Sequence, residues 1–476
     1  MMKKLIERRQ LYLTSIKKNF AYNTFYQILA ILIPLITTPY LTRTLGATGI
    51  GEYSYAYSIA YYFVMIMQLG LNNYGNREIA KNRDDIGKRS ITFWSIYIMQ
   101  FICSLFSISI YCIYIIIYTR SKIMLITMIP YIISGALDIN WFFFGMEEFK
   151  ITVLRNTIIK IFTTISIFLF VKDSSDITIY AYIMTMGMLF TQIVMWPFLK
   201  GHINYVRISR QDVLKHVKPN LILFIPVVAI SLYKMMDKIM LGTLANKAEV
   251  GYYDSSEKII QIPMALITSL GTVMLPRMSN LFANANDDIA EKMFSKSINL
   301  ALFLSTSIGF GIMAIGKTFV PLFYGNGFMK CITLFNILLP SCIFLSFANV
   351  IRTQYLIPNE KDREFIMSVI MGAAINLIIN TLLIPKFGSI GAAIGTLIAE
   401  ATVCIVQVVF VYKELPMKKY IFDSFKYFLS GFIMFILVYN IEFATLPQLI
   451  NILLQVFIGI IIYLVSLSLL FKLEKL

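Results

Sequence analysis

Long apolar runs, separated by short polar segments, occupy almost the whole chain. A helix needs roughly 20 consecutive apolar residues to cross the hydrocarbon core of a bilayer. The pattern therefore predicts an all-α integral membrane protein with fourteen transmembrane helices and no soluble domain between them. The predicted spans are 20–42, 50–72, 90–118, 123–145, 151–172, 177–199, 219–242, 250–275, 297–323, 331–357, 364–385, 389–412, 420–440 and 447–471.

Composition and charge agree with this pattern. Of the 476 residues, 58% are apolar and 14% are charged, whereas soluble domains average about 45–50% and 25%. With the N-terminus placed in the cytoplasm, 27 Lys and Arg residues fall in inner segments and 7 in outer segments. Basic residues concentrate on the cytoplasmic side of membrane proteins. The asymmetry supports the number of spans, predicts cytoplasmic termini and explains the net charge of +16 without nucleic acid.

The sequence offers no pattern for a metal, a cofactor or a catalytic centre. The five cysteines lie inside apolar runs without a CxxC pair, and the two histidines share one polar loop. We therefore expect a protein that is not an enzyme and that works within the membrane.

Two similar halves of six spans each follow one another. Identical residues recur at an offset of 200: Leu41 and Leu241, Gly51 and Gly251, Tyr53 and Tyr253, Ile59 and Ile259, and Arg77 and Arg277. Because six is an even number, the two copies share one orientation in the membrane, as in other two-lobed transporters. The predicted domains are an N-lobe (1–199), a cytoplasmic linker (200–218), a C-lobe (219–412) and two additional helices (413–476).

Charges inside predicted spans are costly and usually face a cavity or a partner. Span 7 contains YKMMDKIMLG (233–242), in which three charged residues share one helical face, and span 8 presents a second polar face. These faces either form salt bridges that hold the two spans together or line a cavity that binds an anion; both remain open. The residues are Lys234, Asp237, Lys238, Asp254, Glu257, Lys258 and Gln261.

Further charges lie in predicted spans, and span 2 is rich in tyrosine. Lys160 and Glu400 fall near the middle of their spans, and Asp138 lies in the inner part of span 4. We take Lys160 as a cavity cation and Asp138 and Glu400 as candidates for a coupling ion. Tyr53, Tyr57 and Tyr61 recur at every fourth position of span 2, which suits either an interfacial belt or stacking on sugar rings.

Three segments resemble the oligosaccharide flippases of bacterial polysaccharide export, which belong to the MATE-like superfamily of multidrug, oligosaccharidyl-lipid and polysaccharide transporters. The segments are GATGIGEYSYAYSI (46–59), GLNNYGNREIAKNR (70–83) and DKIMLGTLANKAEVGYYDSSEKI (237–259). The residues at family-typical positions are Gly75, Arg77, Glu78, Asp237, Gly242, Gly251, Tyr252 and Tyr253. Arg77, Glu78 and Arg277 lie at inner loops, where they would anchor lipid headgroups or lock a gate.

The resemblance implies a function in the bacterial cytoplasmic membrane. Such a protein moves undecaprenyl-diphosphate-linked oligosaccharide repeat units from the inner to the outer leaflet for O-antigen, capsule or exopolysaccharide synthesis. Its expected partners are membrane lipid, a polysaccharide polymerase and a chain-length regulator. The alternatives are a cation-coupled multidrug exporter, a peptidoglycan-precursor flippase of the same fold, a membrane-bound polymerase or glycosyltransferase, and a structural scaffold.

Overall fold

Helices account for nearly all of the described chain. The computed structural model describes residues 2–118, 122–284, 286–441, 443 and 446–473, and of residues 2–31 it describes the backbone only. These residues contain no β-strand. The first eight helices are α1 (Met2–Gln68), α2 (Leu71–Lys81), α3 (Ile86–Ile117), α4 (Lys122–Thr127), α5 (Ile129–Leu137), α6 (Asn140–Gly145), α7 (Phe149–Phe170) and α8 (Ile177–Ile193). The others are α9 (Arg210–Leu244), α10 (Lys247–Ala283), α11 (Asp287–Phe323), α12 (Lys330–Leu338), α13 (Ser341–Ile351), α14 (Asp362–Phe387), α15 (Ser389–Val411), α16 (Met417–Tyr439) and α17 (Gln448–Leu473).

The predicted spans 3 to 14 each correspond to a segment that is long and apolar enough to cross a membrane. Within the described residues there are twelve such segments, from Ile86–Ile117 to Gln448–Lys472. Several contain two short helices, such as α12 and α13, which together with a π-helical turn at Arg352–Leu356 form the segment Lys330–Leu356. The protein is therefore a multi-pass membrane protein, and the predicted all-α class is confirmed.

The predicted spans 1 and 2 both lie on α1. Its helical backbone is interrupted at Gly46, where φ is 65° and ψ is −179°. A positive φ is readily adopted by glycine because it has no Cβ atom. The interruption lies within the short outer turn that the sequence predicts between the two spans. The second span ends at Gln68, four residues before the predicted end, because Leu69 has a φ of 48° that a helix does not accommodate.

Internal contacts divide the chain into two compact units. Unit 1 comprises Met1–Leu45 and Glu52–Val228, and unit 2 comprises Gly46–Gly51 and Ala229–Leu476. The division falls inside α9, ten residues after the predicted linker ends at residue 218. The predicted lobe boundaries stay a prediction, and the two units are treated separately below.

The core of unit 1 surrounds α2, the short helix of the segment GLNNYGNREIAKNR. Tyr74 and Ile79 on α2 are buried in one apolar cluster with Trp141 and Phe142. A Cβ atom on Gly75 would lie 2.7 Å from the Trp141 ring, so only glycine permits this close packing. The segment that resembles the flippases thus forms part of the core.

Unit 2 contains a close backbone contact between its first six residues and the start of α10. A Cβ atom on Gly51 would lie 1.6 Å from the Lys247 carbonyl oxygen, and one on Gly251 would lie 2.0 Å from that of Ala47. Glycine is therefore required at both positions, which are 200 residues apart in the sequence. The contact gives a packing reason for two glycines that recur in the sequence pattern.

Candidate functional site

Unit 1 contains a cavity of about 600 Å³. Its wall combines aromatic rings, amide side chains, one carboxylate and two basic side chains from α1, α2, α5, α6, α7 and α8. The polar and aromatic lining residues are Tyr57, Tyr61, Gln68, Asn72, Asn73, Tyr131, Ser134, Asp138, Asn140, Phe144, Arg155, Asn156, Lys160, Thr163, Thr191 and Gln192. Such a mixture suits a polar ligand that carries hydroxyl groups and negative charge.

An amide network surrounds the carboxylate of Asp138. Gln68 Nε2 donates to one carboxylate oxygen at 2.7 Å, and the backbone N and Nδ2 of Asn140 donate to the other at 2.9 and 2.7 Å. The Asn140 Oδ1 atom accepts a hydrogen bond from Arg155 at 3.0 Å. The network thereby holds a half-buried carboxylate and a buried arginine on one wall of the cavity, linked through the Asn140 side chain.

Helix α7 supplies both basic side chains of this wall. Arg155 is buried, with 6% of its surface exposed, and Lys160 is half-buried. The sequence prediction included Lys160 but missed Arg155, although an arginine in an apolar span five residues from a lysine is a usable signal. The predicted cavity cation therefore lies in the cavity with a second cation on the same helix.

The predicted tyrosine column is only partly inside the cavity. Tyr57 and Tyr61 line it, and the Tyr57 ring stacks on Tyr131 with centroids 5.0 Å apart. Tyr53 does not line it and instead packs edge-on against Tyr180 at 4.9 Å. A stacked pair of phenol rings next to amides gives the cavity a flat aromatic surface with hydrogen-bonding edges.

The charges of the predicted spans 7 and 8 meet in unit 2. Lys238 Nζ lies 2.7 Å from Asp254 and 3.0 Å from Glu257, and Lys258 Nζ lies 2.7 Å from Asp254. The side chain of Lys238 is 13% exposed and that of Asp254 is 5% exposed. Both charges of this pair are therefore shielded from water and depend on each other.

Asp237 is fully buried next to this ion-pair network. Its carboxylate accepts hydrogen bonds from Asn380 at 2.6 Å, Tyr253 at 2.6 Å and Thr396 at 2.8 Å. These donors belong to α14, α10 and α15, so Asp237 links α9 to three other helices. Both charged side chains of the DKIMLG motif therefore have partners: Asp237 accepts hydrogen bonds, and Lys238 forms ion pairs.

A second, smaller cavity of about 190 Å³ lies in unit 2. Four predicted site residues line it, and Arg352, which begins the π-helical turn, lies in the same wall. The four are Lys234, Glu257, Gln261 and Glu400. The structure thus separates the predicted residues of spans 7 and 8 into a group that lines this cavity and a group outside its lining. The second group comprises Asp237, Lys238, Asp254 and Lys258.

The predicted gate residues lie away from both cavities. Arg77 and Glu78 are on α2, with Arg77 Nε 3.6 Å from the Glu78 carboxylate and Lys81 Nζ 2.8 Å from it. Arg277 is exposed near the end of α10. Within the described part of the chain, no group of three or more His, Cys, Asp and Glu side chains is arranged to hold a metal ion.

The chain is similar in sequence to known transporters and flippases. A relative described as a putative O-antigen transporter of Escherichia coli (strain K12) is 24% identical over 403 residues, which cover 83% of this chain and 97% of the relative. A probable low-salt glycan biosynthesis flippase of Haloferax volcanii is 25% identical over 172 residues, or 36% of each chain.

Solved structures share the fold. The lipid II flippase MurJ in an inward closed conformation has a TM-score of 0.73 at 16% identity, with 95% of this chain and 99% of that chain covered. An inward-facing multidrug resistance MATE family transporter has a TM-score of 0.59 at 14% identity, with 82% and 99% covered. These likenesses confirm the predicted MATE-like fold.

The family profile described as polysaccharide biosynthesis protein matches residues 16–282, more than half of the chain. This range contains all three segments on which the sequence resemblance rests, together with every element of the unit 1 cavity. The chain therefore belongs to the polysaccharide biosynthesis protein family.

Proposed function

We propose that this protein is a flippase that moves lipid-linked oligosaccharides across the cytoplasmic membrane of a bacterium. The unit 1 cavity carries this proposal, because it combines about 600 Å³ of space with aromatic, amide and basic side chains inside a multi-pass membrane protein. Relatives named as an O-antigen transporter and a glycan biosynthesis flippase support the same reading.

The chemistry of the wall matches the parts of such a cargo. Arg155 and Lys160 suit the diphosphate, since cations act more strongly in a low-dielectric cavity than in water. Tyr57, Tyr61 and the amides suit sugar rings and hydroxyl groups. The polyprenyl tail is as apolar as the surrounding lipid and need not enter the cavity.

The finer points of the proposal follow the sequence. The carrier is undecaprenyl diphosphate, transport runs from the inner to the outer leaflet by alternating access, and both termini lie in the cytoplasm. The protein transports and does not catalyse, and a polymerase and a chain-length regulator act on the cargo after it. The product is O-antigen, capsule or a related exopolysaccharide.

Two alternatives are less well supported. A multidrug exporter for organic cations favours an acidic cavity, whereas the unit 1 lining has two basic side chains and one carboxylate that the amide network already engages. The fold shared with MurJ suggests a peptidoglycan-precursor flippase, but a sequence identity of 16% supports a common fold and not a common substrate. The family match and the O-antigen transporter relatives favour oligosaccharide repeat units.

Native mass spectrometry of the gently extracted full-length protein tests the proposal. We expect a bound polyprenyl-diphosphate glycan in the wild-type protein and its loss in Lys160→Ala and Arg155→Ala. Lys215→Ala is the matched control, because Lys215 is an exposed lysine paired with Asp212 outside the cavity lining. Binding of added ethidium without any binding of farnesyl diphosphate would instead identify a drug exporter.

A further inference from the structure

The two cavities are lined from corresponding positions of the chain. On α1, the unit 1 lining includes positions 57, 61, 64 and 68, and the unit 2 lining on α10 includes positions 257, 261, 264 and 268. All four pairs differ by 200, the offset at which identical residues recur in the sequence. The same face of corresponding helices therefore borders a cavity in each unit.

In two further pairs of helices, the lining positions of the two cavities also differ by a constant offset. Positions 131, 135 and 138 recur in the second lining as 341, 345 and 348, an offset of 210. Positions 184, 188 and 191 recur as 396, 400 and 403, an offset of 212. The unit 2 cavity is thus a second copy of the unit 1 cavity and not an incidental gap between helices.

The side chains at these positions differ in chemistry. Where unit 1 has Tyr57 and Tyr61, unit 2 has Glu257 and Gln261. Glu400 takes the place of a methionine. At these positions the second cavity therefore has carboxylate and amide groups in place of two phenol rings and a thioether.

The balance of charge also differs between the cavities. The unit 2 lining contains two basic and two acidic side chains, which sum to zero: Lys234, Arg352, Glu257 and Glu400. The unit 1 lining contains Arg155, Lys160 and Asp138, which sum to +1. A diphosphate is favoured by the first cavity, whereas an uncharged ligand with many donors and acceptors is favoured by the second.

Buried amides add acceptors to the second wall. Asn349 and Gln407 line the cavity, with 6% and 1% of their surfaces exposed. Across the described residues, neither Asn349 Oδ1 nor Gln407 Oε1 has a hydrogen-bond partner. Buried polar atoms without partners are uncommon in folded proteins and call for an explanation. A ligand hydroxyl or amide N–H group would supply the missing donor.

The backbone of the second wall is unusual at Arg352. A π-helical turn begins there, and the guanidinium carbon lies 5.5 Å from the centre of the Phe365 ring. Single π-helical turns are frequent at functional sites. The turn and the ring together hold a planar donor group at the cavity.

We propose that the unit 2 cavity is a subsite for one uncharged sugar residue of the cargo. The inference rests on the proposed flippase function and deepens it, since it names a ligand class for the second cavity. With 190 Å³, the cavity has room for a single sugar ring and not for an oligosaccharide. Gln261, Gln407 and Glu400 accept from or donate to the ring hydroxyls.

Binding of soluble lipid analogues, with and without a sugar, to the full-length protein in nanodiscs tests the subsite. The probes are farnesyl diphosphate and a panel of farnesyl-diphosphate-linked hexoses and N-acetylhexosamines. We expect the wild-type protein to bind at least one glycosylated probe more tightly than farnesyl diphosphate. In Gln261→Leu and Gln407→Met, this preference should fall about fivefold for each lost hydrogen bond, while the affinity for farnesyl diphosphate stays unchanged.

Controls separate this loss from misfolding and from failure of the proposed function. Ser368→Ala removes the 3.1 Å hydrogen bond from Gln407 Nε2 to Ser368 and the 2.7 Å hydrogen bond from Ser368 Oγ to the Phe365 carbonyl, and it should leave the preference intact. Lys160→Ala should weaken all probes equally. Preference retained in both glutamine variants, or equal wild-type affinity for all probes, would overturn the subsite. A wild-type protein that binds no probe would instead refute the flippase function itself.

Discussion

Removal of Lys238 should destabilise the protein far more than removal of Lys258. Both lysines lie 2.7 Å from the same carboxylate, that of Asp254, but their side chains are 13% and 50% exposed. Lys238→Met leaves the buried Asp254 and the partly buried Glu257 without their shared cation. Breaking a buried ion pair by removing one partner costs about 3–5 kcal/mol, whereas an exposed pair contributes about 0–1 kcal/mol.

Unfolding of the purified protein in detergent, followed by far-UV circular dichroism, measures this difference. We expect Lys258→Met to shift the midpoint slightly and Lys238→Met to shift it strongly. A double variant, Lys238→Met with Asp254→Leu, should recover part of the loss, because it removes a buried carboxylate that has lost one of its two cations. Equal effects of the two single variants would refute the argument from burial. A large loss of polymer export with unchanged stability in Lys238→Met would place this lysine at the cargo.

Three further outcomes follow from other parts of the structure. Gly51→Ala should lower the free energy of unfolding by about 1–3 kcal/mol through overpacking. Gly327→Ala should be neutral, because nothing lies within 4 Å of its Cβ position. Thermal unfolding of the two variants measures the difference. Arg155→Lys should weaken binding of farnesyl diphosphate about tenfold despite the retained charge, because lysine lacks the planar donor fork, as calorimetry would measure. The pKa of Glu414 lies below its ordinary value because Lys361 donates hydrogen bonds to it. Its stabilisation is complete above about pH 4.3 and is lost as pH falls through the lower folded pKa, so Glu414→Gln should flatten the acid side of the stability profile.

The transmembrane organisation could be predicted because it depends on local composition. The apolar runs of sufficient length are helical, and the predicted turn between the first two spans contains the interruption at Gly46. The resemblance to oligosaccharide flippases is confirmed by the family match. The predicted site residues are now located in the fold, but their roles stay predictions.

The partners of the buried charges could not be predicted. Asp237 accepts hydrogen bonds from Asn380 and Thr396, which are 143 and 159 residues away in the sequence. Helical periodicity tells which residues share a face but not which distant helix that face meets. Arg155 could have been found from its place in an apolar span, but its contact with Asn140 could not. The π-helical turn at Arg352–Leu356 contains no proline or glycine, although Pro358 follows it.

The two neighbouring charges of the DKIMLG motif gain their partners at different times during synthesis of the chain. Lys238 pairs with residues of the next helix, so α9 and α10 can enter the membrane as a hairpin whose charges are already matched. Asp237 must wait for α14 and α15 to be made, and 143 to 159 residues at roughly 5–20 residues per second take about 7–30 s. For that interval the growing chain holds a carboxylate in the membrane with only Tyr253 to satisfy it. The order of the helices along the chain therefore sets how long this carboxylate lacks its donors from α14 and α15.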